Sequence, residues 1–164
     1  MLGTLRADEI ERVLHEEVIG RIGCLDGMNC YVVPITYAYD GTAIYGHSRD
    51  GRKLRAMQAH PRVCFEVDRW RDLSNWESVI AWGRFEPLEG AAATDAMARL
   101  VARVRPLLKL DAPHGHAIAH DAFTGHASHA GTAHSADARA FRIVLDERTG
   151  RYERTTTPSG PQVA

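Results

Sequence analysis

No sign of charge predominates in this sequence, which sets 20 Lys and Arg against 21 Asp and Glu, so no broad basic field exists to attract nucleic acid or an anionic membrane surface. Long apolar runs are missing too. Nothing approaches the roughly 20 residues that span a bilayer, and Arg6, Asp8, Glu9 and Glu11 interrupt the N-terminal stretch where a signal peptide is apolar. The expected compartment is the cytoplasm, with neither a nucleic acid nor a membrane as partner. Cysteine is confined to Cys24, Cys30 and Cys64, an odd number with no CxxC pair. That argues for reduced, core or half-buried thiols rather than a disulfide framework or a metal site. A glycine-rich nucleotide fingerprint is also lacking. With 164 residues, the chain suits a single domain, here expected over 1–155, followed by a frayed tail over 156–164.

What is present reads as mainly β. Ile10, Val13 and Leu14 fall at helical spacing between Asp8 and Glu17, with acids in the first turn where the helix dipole favours them. Val18 to Leu25 and Cys30 to Asp40 read as a hairpin about Asp26-Gly27, closed by Asp40-Gly41 and followed by a strand over Thr42 to Ser48. Asp50-Gly51 then precedes a short helix through Lys53, Leu54 and Met57 that Pro61 stops. Arg62 to Trp70 and Ser78 to Pro87 alternate as half-buried strands. Ala91 to Arg105 places Met97, Leu100, Val101 and Val104 on one helical face. Arg139 to Asp146 reads as a last strand, continued by Arg151 to Arg154 beyond a Thr149-Gly150 turn. Because closure removes unpaired edges, the pattern predicts a six- to seven-stranded antiparallel β-barrel with flanking helices.

Two features carry chemistry. The run His47-Ser48-Arg49-Asp50-Gly51-Arg52-Lys53 gathers hydroxyl, guanidinium and ammonium groups where a strand gives way to a helix. Free N–H groups and the positive dipole end meet there, so Ser48, Arg52 and Lys53 suit a phosphate. A solvated basic turn is the plain alternative. The second feature is Val32-Val33-Pro34-Ile35-Thr36, because a proline inside a strong strand cannot donate to the ladder. A flat cofactor lying against Val33, Pro34, Ile35 and Thr36 would account for it, as would an edge strand.

In order along the chain, Gly20-Arg21-Ile22-Gly23, Tyr31-Val32-Val33-Pro34-Ile35-Thr36-Tyr37, Ile44-Tyr45-Gly46-His47-Ser48, Gly51-Arg52-Lys53 and His60-Pro61-Arg62-Val63-Cys64-Phe65-Glu66-Val67-Asp68 resemble the pyridoxamine 5'-phosphate oxidase-like split barrels. Within that family the nitroimidazole-resistance branch is the most similar. The resemblance runs from about Asp8 to Glu89, with Arg139 to Leu145 similar to the family's last strand. It implies a homodimeric split barrel holding FMN at the subunit interface, the isoalloxazine on the Pro34 strand and the phosphate near Ser48, Arg52 and Lys53. Departures are Cys30, where many relatives carry proline, and Arg49-Asp50 after the serine.

His47 matches a histidine linked to function in the nitroimidazole-resistance branch, and an imidazole suits proton transfer near neutral pH. A histidine that only bonds its neighbours is the alternative. Trp82 and Arg84 share one side of their strand, opposite Phe85, facing either the flavin or a dimer partner. Equally, Trp82 can be plain core. His114, His116, His120, His126, His129 and His134 crowd a Gly- and Ala-rich loop read as a lid over the cofactor. The expected activity is FMN-dependent reduction of a small planar electrophile such as a nitroaromatic. The alternatives are the deazaflavin F420 as cofactor, or a flavin- or haem-binding protein without turnover. Pyridoxamine phosphate oxidation is disfavoured because no second cluster of Arg and Lys is evident to receive a substrate phosphate.

Overall fold

Strands dominate the computed structural model, which describes residues 1–107 and 138–155. In chain order the elements are β1 (Leu2–Thr4), α1 (Ala7–Glu16), β2 (Ile19–Asp26), β3 (Asn29–Thr36), β4 (Ala38–Tyr39), β5 (Ala43–Arg49), α2 (Arg52–Ala59), β6 (Arg62–Asp72), β7 (Asn75–Pro87), α3 (Gly90–Val104) and β8 (Ala138–Glu153). The sheet is antiparallel throughout and runs β3-β2-β6-β7-β8-β5-β4, with β1 added along β8. Alternate side chains from this path meet in one core that includes Ile22, Tyr37, Ile44, Phe65, Val67, Phe141 and Ile143. The sheet therefore curls around a single interior while β3 and β4 remain its unjoined ends. This is the expected mainly β split barrel with flanking helices.

Helix α1 starts with Glu9 accepting the Arg6 backbone N–H at 2.9 Å, and it buries Ile10, Val13 and Leu14. Arg12 and Arg154 both grip Glu77 of β7, at 2.8 and 2.9 Å. Partly exposed ion pairs of this kind are worth about 0–1 kcal/mol, whereas full burial of Val13 or Leu14 is worth roughly 1.5–3 kcal/mol, so packing is what seats the helix.

Several elements differ from the sequence reading. The second strand does not run unbroken from Cys30 to Asp40. It stops at Tyr37, whose N–H bonds the Val18 carbonyl at 3.0 Å and whose buried hydroxyl donates to the Leu14 carbonyl at 2.9 Å. Thr149-Gly150 is not a turn, because β8 is continuous from Ala138 to Glu153. Gly150 is there for close approach: an added Cβ would lie 2.7 Å from Leu5 Cδ1, where β8 passes under the start of α1. On α3 the buried residues are Ala96 and Leu100, while Val101 is exposed. That helix packs on β5, β8 and β4, and Ala38, Ala43 and Ala140 are buried in the same region, so small residues set the contact line. Cys24 is buried and Cys64 half-buried, as expected for free thiols, but Cys30 is exposed on β3. The histidines of the 114–134 stretch and the tail over 156–164 lie outside the described residues. Among the described residues no helix is long and apolar enough to cross a membrane.

Candidate functional site

Helix α2 is built against the usual rule for a helix start. Asp and Glu are favoured in a first turn, yet α2 has no acid there, no side-chain cap, and Arg52 and Lys53 as its opening residues. Each cation at that end works against the dipole by about 0.3–1 kcal/mol, a cost that a bound anion would reverse. Leu54, Ala56 and Met57 hold the helix in the core, and His60-Pro61 ends it. It packs against both β2 and β5, which brings its N-terminus to the end of β5 and close to the β2–β3 hairpin.

The hairpin positions Arg52. Asp26 accepts from Arg52 Nε at 2.6 Å, and the guanidinium lies 4.5 Å over the Tyr31 ring. Only Nε is used in that pair, so the Nη groups keep their donors for a ligand. Lys53 is half-buried. Burial pushes its ammonium pKa down, with the Cys24 thiol acting weakly the other way. The Cys24 thiol is itself pushed up by burial and by Asp26. A phosphate would supply the counter-charge that the Lys53 ammonium wants. Ser48 is half-buried at the end of β5, with its hydroxyl donating to the Arg49 carbonyl at 2.9 Å.

Sequence neighbours part company at this corner. Alternation along β5 turns Ile44, Gly46 and Ser48 to the core side, and Ala43, Tyr45 and His47 to the side covered by α3, where Arg99 sits 5.4 Å from the Tyr45 ring. Ser48 thus turns to the core side just ahead of α2, while the half-buried His47 faces the other way, in register with Ala140.

On β3 the same alternation divides the ring-binding candidates. Ile35 is in the core and Val33 packs against it, so they offer a ligand only their backbone. Pro34 and Thr36 face outward. β3 is paired with β2 alone, which leaves its other edge of backbone donors and acceptors open. The edge-strand explanation of Pro34 and the ligand explanation are therefore compatible.

Outward-facing residues align across the sheet in rows. Pro34, Arg21, Glu66 and Ile80 form one row, and Val32, Gly23, Cys64 and Trp82 the next. Arg21 is fixed by Glu66 at 2.8 Å and Asp68 at 2.6 Å. Trp82 is half-buried and Arg84 exposed, both opposite the buried Phe85, as the strand period requires. The sequence reading did not find Asp26 and Tyr31 as the anchors of Arg52, nor Arg62 as the partner in register with Arg84. Their signal lies in cross-strand pairing, which linear order does not display.

A seven-strand antiparallel path with unjoined ends, an open edge on β3 and a basic, uncapped helix start beside that edge together define a split-barrel protein equipped to hold an anion. The sequence profile of the family described as Pyridoxamine 5'-phosphate oxidase matches residues 6–152, and the chain belongs to that family. An uncharacterized protein of Rhizobium meliloti (strain 1021) is 31% identical over 81 residues, which are 49% of this chain and 54% of that protein, so the match spans about half the length of the curated relative. The fold is similar to that of a FAD-binding protein from Mesorhizobium loti, with a TM-score of 0.72 and 28% identity, covering 93% of this chain and 98% of that one. It is also similar to a protein from Bacteroides thetaiotaomicron named for 5-nitroimidazole antibiotic resistance, with a TM-score of 0.65 and 17% identity, covering 93% and 89% of the two chains.

Proposed function

We propose that this protein is a flavin-dependent oxidoreductase that holds FMN by its phosphate at the start of α2 and reduces a small planar electrophile of the nitroaromatic type. One observation carries the reading: Arg52 and Lys53 open an uncapped helix with no acid in its first turn, in a member of this family. The likeness to a FAD-binding protein from Mesorhizobium loti supports a flavin. FMN is preferred over FAD because the described basic corner matches one terminal phosphate.

When bound, a flavin supplies the hydride chemistry itself. The chain's part is to bind and orient. Arg52 Nη groups, the Lys53 ammonium and the Ser48 hydroxyl hold the phosphate, and Asp26 with Tyr31 keeps the guanidinium in place. The open edge of β3 at Val33, Pro34, Ile35 and Thr36 offers backbone groups to the polar rim of the ring. Trp82 and Arg84 stand on the outer face of β7, separated from that edge by β2 and β6. His47 is proposed as a proton donor to substrate from the α3 side of β5. Exposed Ile19, Leu25, Val32 and Ile80 on the outer face of β2, β3 and β7 support a homodimer with the cofactor at its interface.

Titration of the purified protein with FMN, FAD and riboflavin tests the phosphate reading. FMN is expected to bind at least tenfold more tightly than riboflavin, which lacks the phosphate, because charge-assisted bonds contribute roughly 1.5–3 kcal/mol. Lys53→Gln and Arg52→Gln should each narrow that gap while leaving riboflavin affinity alone. Equal affinity for FMN and riboflavin would contradict the reading, and a preference for FAD would replace FMN as the cofactor.

A further inference from the structure

Beyond the α2 corner, a second cationic feature lies on the outer face of the sheet. Arg62 and Arg84 stand directly opposite one another on the β6–β7 ladder. Like charges so placed destabilise an antiparallel pair. Arg62 is offset, since its Nη1 donates to Asp146, the extra residue of β8 at the bulge beside Trp82 and Gly83. Arg84 is exposed and has no carboxylate partner among the described residues. Glu147, in register with Trp82, makes no ion pair with it. With Asp146 set against Arg62, the pair keeps one uncompensated positive charge, which a further anion would offset.

The next row supplies a seat for a ring. Gly23 and Cys64 form its floor, between Val32 on one side and the half-buried Trp82 on the other. An added Cβ at Gly23 would meet only Cys64 atoms, at 3.7 and 3.9 Å, so the space above the floor is open. Trp82 and Arg84 are two residues apart on one strand and share a face, which sets an aromatic surface beside a guanidinium about 7 Å further along. Stacking fixes the plane of a ring, and a planar guanidinium fixes a carboxylate or phosphate attached to it.

We propose that Arg84, with Arg62 opposite it, receives the anionic group of a flat aromatic substrate whose ring lies against Trp82. This deepens the flavin reading, on which it rests for what happens to that substrate, by naming the substrate as an aromatic carboxylate rather than a neutral ring.

The test is isothermal titration of the flavin-loaded, full-length protein with nitrobenzene and with 4-nitrobenzoate, which differ by one carboxylate. The carboxylate is expected to bind roughly tenfold or more tightly at low salt, since a hydrogen bond to a charged group contributes about 1.5–3 kcal/mol. Arg84→Gln should abolish that advantage while leaving nitrobenzene affinity and flavin content as they were, and Arg62→Gln should reduce it in part. Equal affinities in the wild type, or an advantage that survives Arg84→Gln, overturns the proposal. Native mass is read on the same samples: a change of oligomeric state in Arg84→Gln with the carboxylate preference intact reassigns Arg84 to a contact between copies and also overturns it. Flavin content is read separately by absorbance. A protein that takes no flavin yet still prefers the carboxylate would contradict the flavin reading and leave this binding assignment standing.

Discussion

Lys53 and His47 lie six positions apart in the chain and carry opposite lessons at the scale of single residues. The place of Lys53 was legible in the sequence, because a cation opening a helix after a serine-ended strand is a local pattern. Its environment was not, since the Cys24 thiol and the Asp26 carboxylate that holds the neighbouring Arg52 come from the β2–β3 hairpin. For His47 the residue type pointed to proton transfer, but its direction depended on the parity of β5, which sets it on the face away from Ser48. The proposed role is checked with His47→Ala loaded to the wild-type flavin content. A role as proton donor predicts a fall in turnover of about a hundredfold or more, with loss of the alkaline limb of the pH profile. Undiminished reduction of an accepted nitroaromatic would remove His47 from the mechanism.

Among the elements, the turn from β4 into β5 shows how a short ladder is fixed. Asp40 accepts from the Thr42 N–H at 2.9 Å, the Ala43 N–H at 2.9 Å, the Thr42 hydroxyl at 2.8 Å and the Tyr45 hydroxyl at 2.8 Å. Burial alone would raise its carboxyl, but these hydrogen bonds outweigh it and hold the pKa down at about 2, against an ordinary 3.8. A depressed pKa means stabilisation that is complete above about pH 4 and is lost as the pH falls through about 2. Urea unfolding of the wild type and Asp40→Asn should therefore differ most above pH 4 and converge toward pH 2. A difference independent of pH would show that the ionised carboxylate is not what fixes the turn. This turn was legible from Asp40-Gly41, whereas the Thr149-Gly150 pair was misread because a glycine that admits Leu5 looks in sequence like a glycine that turns. Strand β1 went unseen because its three residues are held only by the far end of β8.

At the scale of the molecule, local patterns were enough for the order of strands and helices, and the motif order from Gly20 to Asp68 was enough for the family. The way strands pair was beyond them. Only the sheet order shows that β3 is an end, that Pro34 therefore sits on an open edge, and that Arg62 meets Arg84 across the outer face. The account of function joins an anion corner at one end of the barrel to an open strand edge that can carry a flat ring. Its central claim is that the protein holds a phosphate-bearing flavin. The most direct measurement is the visible absorption spectrum of the purified protein, taken with the mass of the chromophore released on denaturation. A flavin spectrum and the mass of FMN are expected, retained by the wild type and depleted in Lys53→Gln. A haem or deazaflavin spectrum, or a protein that stays colourless when FMN is added, would contradict it.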